Sequence, residues 1–197
     1  KEMKNRREIT AEFLFFELSA VGFLGLASML FKEKQMGVIR VHGILPVHRS
    51  MFVFSKLILL SVSDLLFTAL LTSINLGVPD AVRVLPSVLL QAGILSLIMA
   101  LVGFLCAVRL QDFKQFSLFY LVLAVFITTP VFLAGQTGIE WNWIVYHPMY
   151  HLFTAMKSAY FSIPTTGATY YLLCLGAIIL LFLLACQTLN REMAKEG

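Results

Sequence analysis

Three consecutive stretches decide the fold: VLLQAGILSLIMALVGFLCAV (88–108), RLQDFKQF (109–116) and SLFYLVLAVFITTPVFLAG (117–135). The first and third are predominantly apolar runs without a charged residue, and a bilayer core needs about 20 apolar residues as helix. The second is short and charged, as a connection between two spans should be. The rest of the chain has the same character. Of its 197 residues 59% are hydrophobic and only 13% charged, against about 45–50% and about 25% in a soluble domain. One water-soluble core of this size has no room for so much apolar surface, and a disordered chain would be far more polar. The class left is a polytopic membrane protein.

Working outward, three more runs qualify as spans, giving five in all, at about 13–31, 51–76, 88–108, 117–135 and 169–189. The expected fold is a single all-α transmembrane domain over 1–197, a multi-pass helical bundle. Cys106, Cys174 and Cys186 lie in or at the end of apolar runs without clustered partners and read as small membrane-buried side chains, since a metal site needs grouped ligands. The net charge of +4 reflects basic residues beside the spans, which report topology rather than nucleic-acid binding. Lys32, Lys34, Arg40, Arg49, Lys56, Arg109, Lys114, Arg191 and Lys195 fall on one side. Lys1, Lys4, Arg6, Arg7, Arg83 and Lys157 fall on the other. The first side is read as cytoplasmic. Five spans then put a basic N-terminus outside, against the positive-inside rule. The chain starts without Met, and a further span preceding Lys1 is the expected resolution.

Two connections carry information. KEKQMGVIRVHGILPVHRSMFVFSK (32–56) runs directly from one span into the next. On a helix, Val38, Val41, Ile44 and Leu45 share one face, with Glu33 and Arg40 opposite. Pro46 ends it, because proline has no backbone N–H to donate. The physical reading is a short amphipathic helix, about 33–45, at the cytoplasmic membrane surface. It either rests in the headgroups or docks a cytosolic partner.

The pattern of Glu33, Lys34, Gly37, Val38, Arg40, Val41, Leu45 and Pro46, with Lys56 heading the next span, resembles the permeases of the second ABC exporter type. There the stretch is a coupling helix seated in a groove of a separate ATPase subunit. The family's usual Glu-Arg is Glu33-Lys34 here. The resemblance covers span order across nearly the whole chain. It implies six spans, both ends in the cytoplasm, a second permease subunit (identical or related), and ATP with Mg bound by the partner ATPases and not by this chain.

The second connection, 136–167, carries Trp141, Trp143 and Tyr146, residues suited to a membrane–water interface. Pro148 then opens a helix of about 148–163. Met149, Leu152, Phe153, Met156, Tyr160 and Ile163 form one stripe, with His151, Thr154, Lys157 and Ser158 opposite. It is too polar on one face to span. The expectation is an external helix lying in the outer interface or dipping in and returning, ended by Pro164 and Gly167. The resemblance implies such a re-entrant element before the last span.

Three polar residues inside the spans are candidates for a transport path. Asp64 sits mid-span, where a carboxylate costs about 2.5–3.5 kcal/mol on insertion scales. It is either functional or a partner in a helix–helix hydrogen bond. Glu17 lies about one turn inside the first span and reads as solvated or paired. Gln91 is expected to bond across helices. His147 and His151 share a helical face, but Glu140 is the only carboxylate nearby, too few ligands for zinc; His42 and His48 flank Pro46 and read as surface residues. No G-x-x-x-x-G-K-[ST] loop occurs, so ATP hydrolysis is expected elsewhere. The function read from all this is the permease subunit of an ATP-driven exporter in a bacterial cell membrane, moving a drug-like, lipid or peptide substrate. A proton-coupled carrier using Asp64, a non-transporting accessory subunit and a lipid-modifying membrane enzyme remain open.

Overall fold

A computed structural model describes residues 2–38, 49–110, 112–136, 142–163 and 167–196. Among them there is no strand. The elements are α1 (Glu2–Gln35), α2 (Arg49–Leu76), α3 (Val78–Arg109), α4 (Phe113–Gln136), a 3-10 turn (Asn142–Tyr146), α5 (Pro148–Phe161) and α6 (Ala168–Glu196). α1, α2, α3 and α6 are long and apolar enough to cross a membrane. α4 occupies the place of the expected fourth span and is apolar over Phe113–Thr129. The long helices run up and down, so each end of the bundle can be named by a residue of α1: the Arg7 end and the Lys34 end.

α3 is the hub, packed against α1, α2, α5 and α6. It starts ten residues before the expected 88, because Pro79 falls in its first turn, where a missing N–H costs nothing. Pro86 is carried within the helix. Asp80 in the first turn and Arg109 in the last complement the helix dipole. α2 and α3 are joined by Gly77 alone. Its N–H closes α2 on Ser73 O (3.0 Å), and its carbonyl accepts from Ala81 N–H (2.9 Å). The chain reverses there at φ +79°, a backbone conformation that glycine adopts without steric cost.

α1 and α3 touch backbone to backbone. A β-carbon on Gly103 would overlap the Phe23 carbonyl, and one on Gly22 would lie 3.1 Å from Met99 Cβ. Small residues permit this approach, which is how helices associate in lipid, where no hydrophobic force drives them together. Phe15, Leu18, Phe23 and Leu26 of α1 and Val88, Leu95, Leu101 and Phe104 of α3 form the buried core. Phe23 stacks on Phe116 and Tyr120 (centroids 5.1 Å for each), which seats the start of α4 on α1. By contrast, the outer faces of α2 (Leu66, Leu70, Ile74), α4 (Leu121, Phe126) and α6 (Leu172, Leu180) are exposed. Apolar faces this extensive are at home in a bilayer, not in water.

Two further expected boundaries move. Glu33 and Lys34 are not the start of a separate coupling helix but the last turn of α1. That helix ends at Gly37, φ +69°, with Met36 N–H on Lys32 O and Gly37 N–H on Lys34 O, a left-handed glycine C-terminus. Val38 follows; Arg40, Val41, Leu45 and Pro46 lie outside the described residues, as do His42, His48, Glu140, Trp141 and Pro164. α5 ends at Ser162, φ 55°, whose N–H still reaches Ala159 O. The helix therefore stops before Pro164 is reached.

Candidate functional site

At the Lys34 end, three of the residues singled out by sequence act together. Glu33 of α1 and Lys56 of α2 form a hydrogen-bonded ion pair, with side chains only 19% and 16% exposed. Lys56 also sits 4.7 Å over the Phe52 ring, a cation–π contact. Lys34 donates from Nζ to three carbonyls at the C-terminus of α3: Ala107 (3.0 Å), Val108 (3.0 Å) and Leu110 (3.2 Å). A helix leaves its last four carbonyls without partners, and a cation there also meets the negative end of the dipole. Glu33 therefore binds α1 to α2 and Lys34 binds α1 to α3. The connection 39–48 leaves from this tied corner.

The middle of the bundle holds a polar stripe. Thr72, Thr68 and Asp64 follow one another at four-residue steps along α2, so they share a face, and all three are buried. Asp64 Oδ2 accepts a hydrogen bond from Ser96 Oγ of α3. Thr68 donates back to Asp64 O (2.7 Å). Glu17 of α1 lies within electrostatic range of Asp64; its Oε2 is buried with no hydrogen-bond partner among the described residues. Two of the three path candidates thus converge between α1, α2 and α3. Gln91 does not join them. It bonds across helices as expected, accepting from Tyr170 Oη (2.9 Å) and donating to Tyr171 Oη (3.1 Å), both at the start of α6.

At the Arg7 end, α5 lies against the bundle. Its stripe of Met149, Leu152, Phe153, Met156 and Tyr160 is buried against α1 and α3, and only Ile163 is left exposed. The apolar face expected to rest in the membrane interface is therefore occupied by protein. Lys157, placed on the polar face by sequence, pairs with Glu8 (2.7 Å) and Glu12 (3.6 Å) of α1. Arg7 donates to Tyr160 O (3.5 Å) and approaches Asp80 of α3 at 4.0 Å. Tyr160 Oη shares a 2.8 Å hydrogen bond with Thr72 Oγ1, the top of the polar stripe. Burial lifts its phenol to about 12, the Thr72 bond pulling the other way, so the phenol keeps its proton at any physiological pH.

His147 and His151 have structural work. His147 caps α5, its Nδ1 accepting from Met149 N–H (3.2 Å), and His151 Nε2 bonds Val145 O (2.7 Å), tying α5 to the 3-10 turn. No group of three or more metal-ligating side chains occurs among the described residues. Sequence reasoning missed the Tyr160–Thr72, Lys157–Glu8 and Gln91–tyrosine contacts. Each joins residues 80 or more apart except Tyr170–Gln91 at 79, and spacing along a chain carries no signal for that. Set against known proteins, the chain matches no protein-family model, no curated protein and no solved structure.

Proposed function

We propose that this chain is the transmembrane permease subunit of an ATP-driven exporter of the ABC type, with five spans including α4, in a bacterial cell membrane. The observation that carries the reading is the tied corner at the Lys34 end. A push on the connection 39–48 would pass through Glu33–Lys56 into α2 and through Lys34 into α3, without slack. On this reading the segment Val38–Pro46 docks a cytosolic ATPase subunit, which holds the ATP and Mg. A second permease subunit, identical or related, completes the path, and α5 lies on the external side. Nucleotide binding drives transport by favouring one membrane conformation over another, to the extent that its affinity for the two differs. The substrate class (drug-like, lipid or peptide) is left open by the apolar faces.

A second reading, a proton-coupled carrier, is supported by the carboxyls of Asp64 and Glu17, which lie within electrostatic range of each other inside the bundle and cannot both be charged cheaply there. One experiment separates the two. The protein is purified in mild detergent together with any ATPase encoded beside it and placed in proteoliposomes with a fluorescent amphiphile. Uptake that requires ATP and is lost with Arg40→Glu supports the ABC reading. Uptake driven by a pH gradient without ATP, and lost with Asp64→Asn at normal abundance of folded protein, overturns it in favour of the carrier.

A further inference from the structure

The Arg7 end is where long apolar helices give way to charged side chains, the level of the lipid headgroups. Most of the carboxylates there are taken: Glu2 pairs with Arg6, and Glu8 and Glu12 share Lys157. Arg7 is the ill-matched residue. A guanidinium carries five N–H donors in a planar fork. One of them reaches the Tyr160 carbonyl at 3.5 Å, the outer limit of a hydrogen bond. The Asp80 carboxylate stands 4.0 Å away. Nε is shielded from solvent and has no partner among the described residues. Donors buried unpaired cost free energy, and such a fork is completed by an oxyanion that accepts two bonds. The side chain is still 25% exposed, so an oxyanion can approach it from outside.

Two more cations stand at the same corner. Lys4 precedes Arg7 by three residues on α1, and Arg83 follows Asp80 by three on α3, spacings that put each pair on one helix face. The approach of Arg7 to Asp80 lays the two faces side by side. Lys4 and Arg83 are exposed, and neither forms an ion pair among the described residues. The carboxylate within electrostatic range of Lys4 is Glu8, which Lys157 already holds. Three cations therefore face the single carboxylate of Asp80. Beside and below them Val82 and Leu90 of α3 are exposed, Leu90 two turns along from Arg83 on the same side. Basic groups at the rim of an apolar surface fit the headgroup and chain of an anionic lipid. A free phosphate ion would gain nothing from Val82 and Leu90.

We propose that this corner binds an anionic phospholipid: Arg7 and Arg83 hold its phosphate, Lys4 stands at the edge, and an acyl chain runs along α3 over Val82 and Leu90. So placed, the phosphate bridges α1 and α3. A zwitterionic lipid carries the same phosphate together with a cation of its own, which the three basic residues repel. The site is independent of what drives transport, so its test involves neither ATP nor a pH gradient.

Delipidated protein in a mild neutral detergent is titrated with phosphatidylglycerol, with phosphatidylcholine of the same acyl chains, or with inorganic phosphate. Binding is read by native mass spectrometry and by thermal unfolding. Phosphatidylglycerol should bind saturably and raise the melting temperature, and the other two should do neither at equal concentration. Arg83→Gln alters an exposed side chain with no internal partner to lose. It should weaken phosphatidylglycerol binding about fivefold, the worth of one basic residue beside an anionic lipid, and Arg7→Gln should weaken it at least as much. Arg6→Gln removes the same charge from the same end and should leave the affinity unchanged. Equal binding of the two lipids, a full shift with inorganic phosphate alone, or a loss with Arg6→Gln as large as that with Arg83→Gln in normally folded protein overturns the site.

Discussion

Lys56 is the residue on which the corner at the Lys34 end turns. Its partner Glu33 keeps one carboxylate oxygen buried without a hydrogen bond, so the lysine is the chief compensation for a largely buried charge. Lys56→Met should therefore destabilise the protein by about 1–3 kcal/mol, the cost of leaving such a group unsatisfied. Thermal unfolding in detergent would read this as a lowered melting temperature. The double exchange Glu33→Lys with Lys56→Glu should recover most of the loss, and no recovery would show that the pair is incidental. Asp64 has a different standing. It is buried in the middle of α2, but Ser96 answers it, so helix–helix bonding already accounts for part of its presence, and Glu17 beside it is the less satisfied carboxyl.

At the scale of elements, the contact between α1 and α3 is the tightest. Gly103→Ala must push the Phe23 carbonyl aside, and overpacking of this kind costs about 1–3 kcal/mol. Gly176→Ala in α6, where nothing lies within 4 Å of the new methyl, should instead stabilise by up to about 1 kcal/mol through helix propensity. Opposite shifts in melting temperature for two identical substitutions would confirm that α1 and α3 meet at backbone distance; equal shifts would refute it. The elements themselves were largely legible in the sequence. The apolar runs at 51–76 and 169–189 are recovered within α2 and α6, and the stripe from Met149 to Tyr160 is the buried face of α5. Ends were less legible, because they depend on single backbone conformations. Gly37 and Ser162 stop their helices through left-handed φ values, and nothing about a serine announces that. Nor did α5's polar face reveal its partners: the pattern placed Lys157 opposite the apolar stripe, and only the fold brings Glu8 and Glu12 beside it.

For the whole molecule, the balance of exposed and buried surface is that of a protein whose outer solvent is lipid. α3 is enclosed on nearly all sides, whereas α2 and α6 each turn most of their apolar surface outward. The charge pattern that ordered the sequence reading reappears as two belts, with Glu33, Lys34, Lys56 and Arg109 at one end and Arg7, Glu8, Asp80 and Lys157 at the other. These belts could be located in sequence, but not their pairings, since a belt is assembled from helices that meet only after folding.

The single-residue join at Gly77 has a consequence for how such a chain is built and how it can be probed. α2 and α3 leave no loop between them, so neither can thread the bilayer alone without dragging the other's end along. They should enter the membrane as one hairpin. The join itself is too short to serve as a protease site or an epitope. An inserted peptide tag after Gly77 should abolish folding, scored as loss of monodisperse protein on size exclusion, while the same tag in the 3-10 turn at Asn142–Tyr146 should be tolerated. A tag accepted at Gly77 would mean the two helices are independent insertion units.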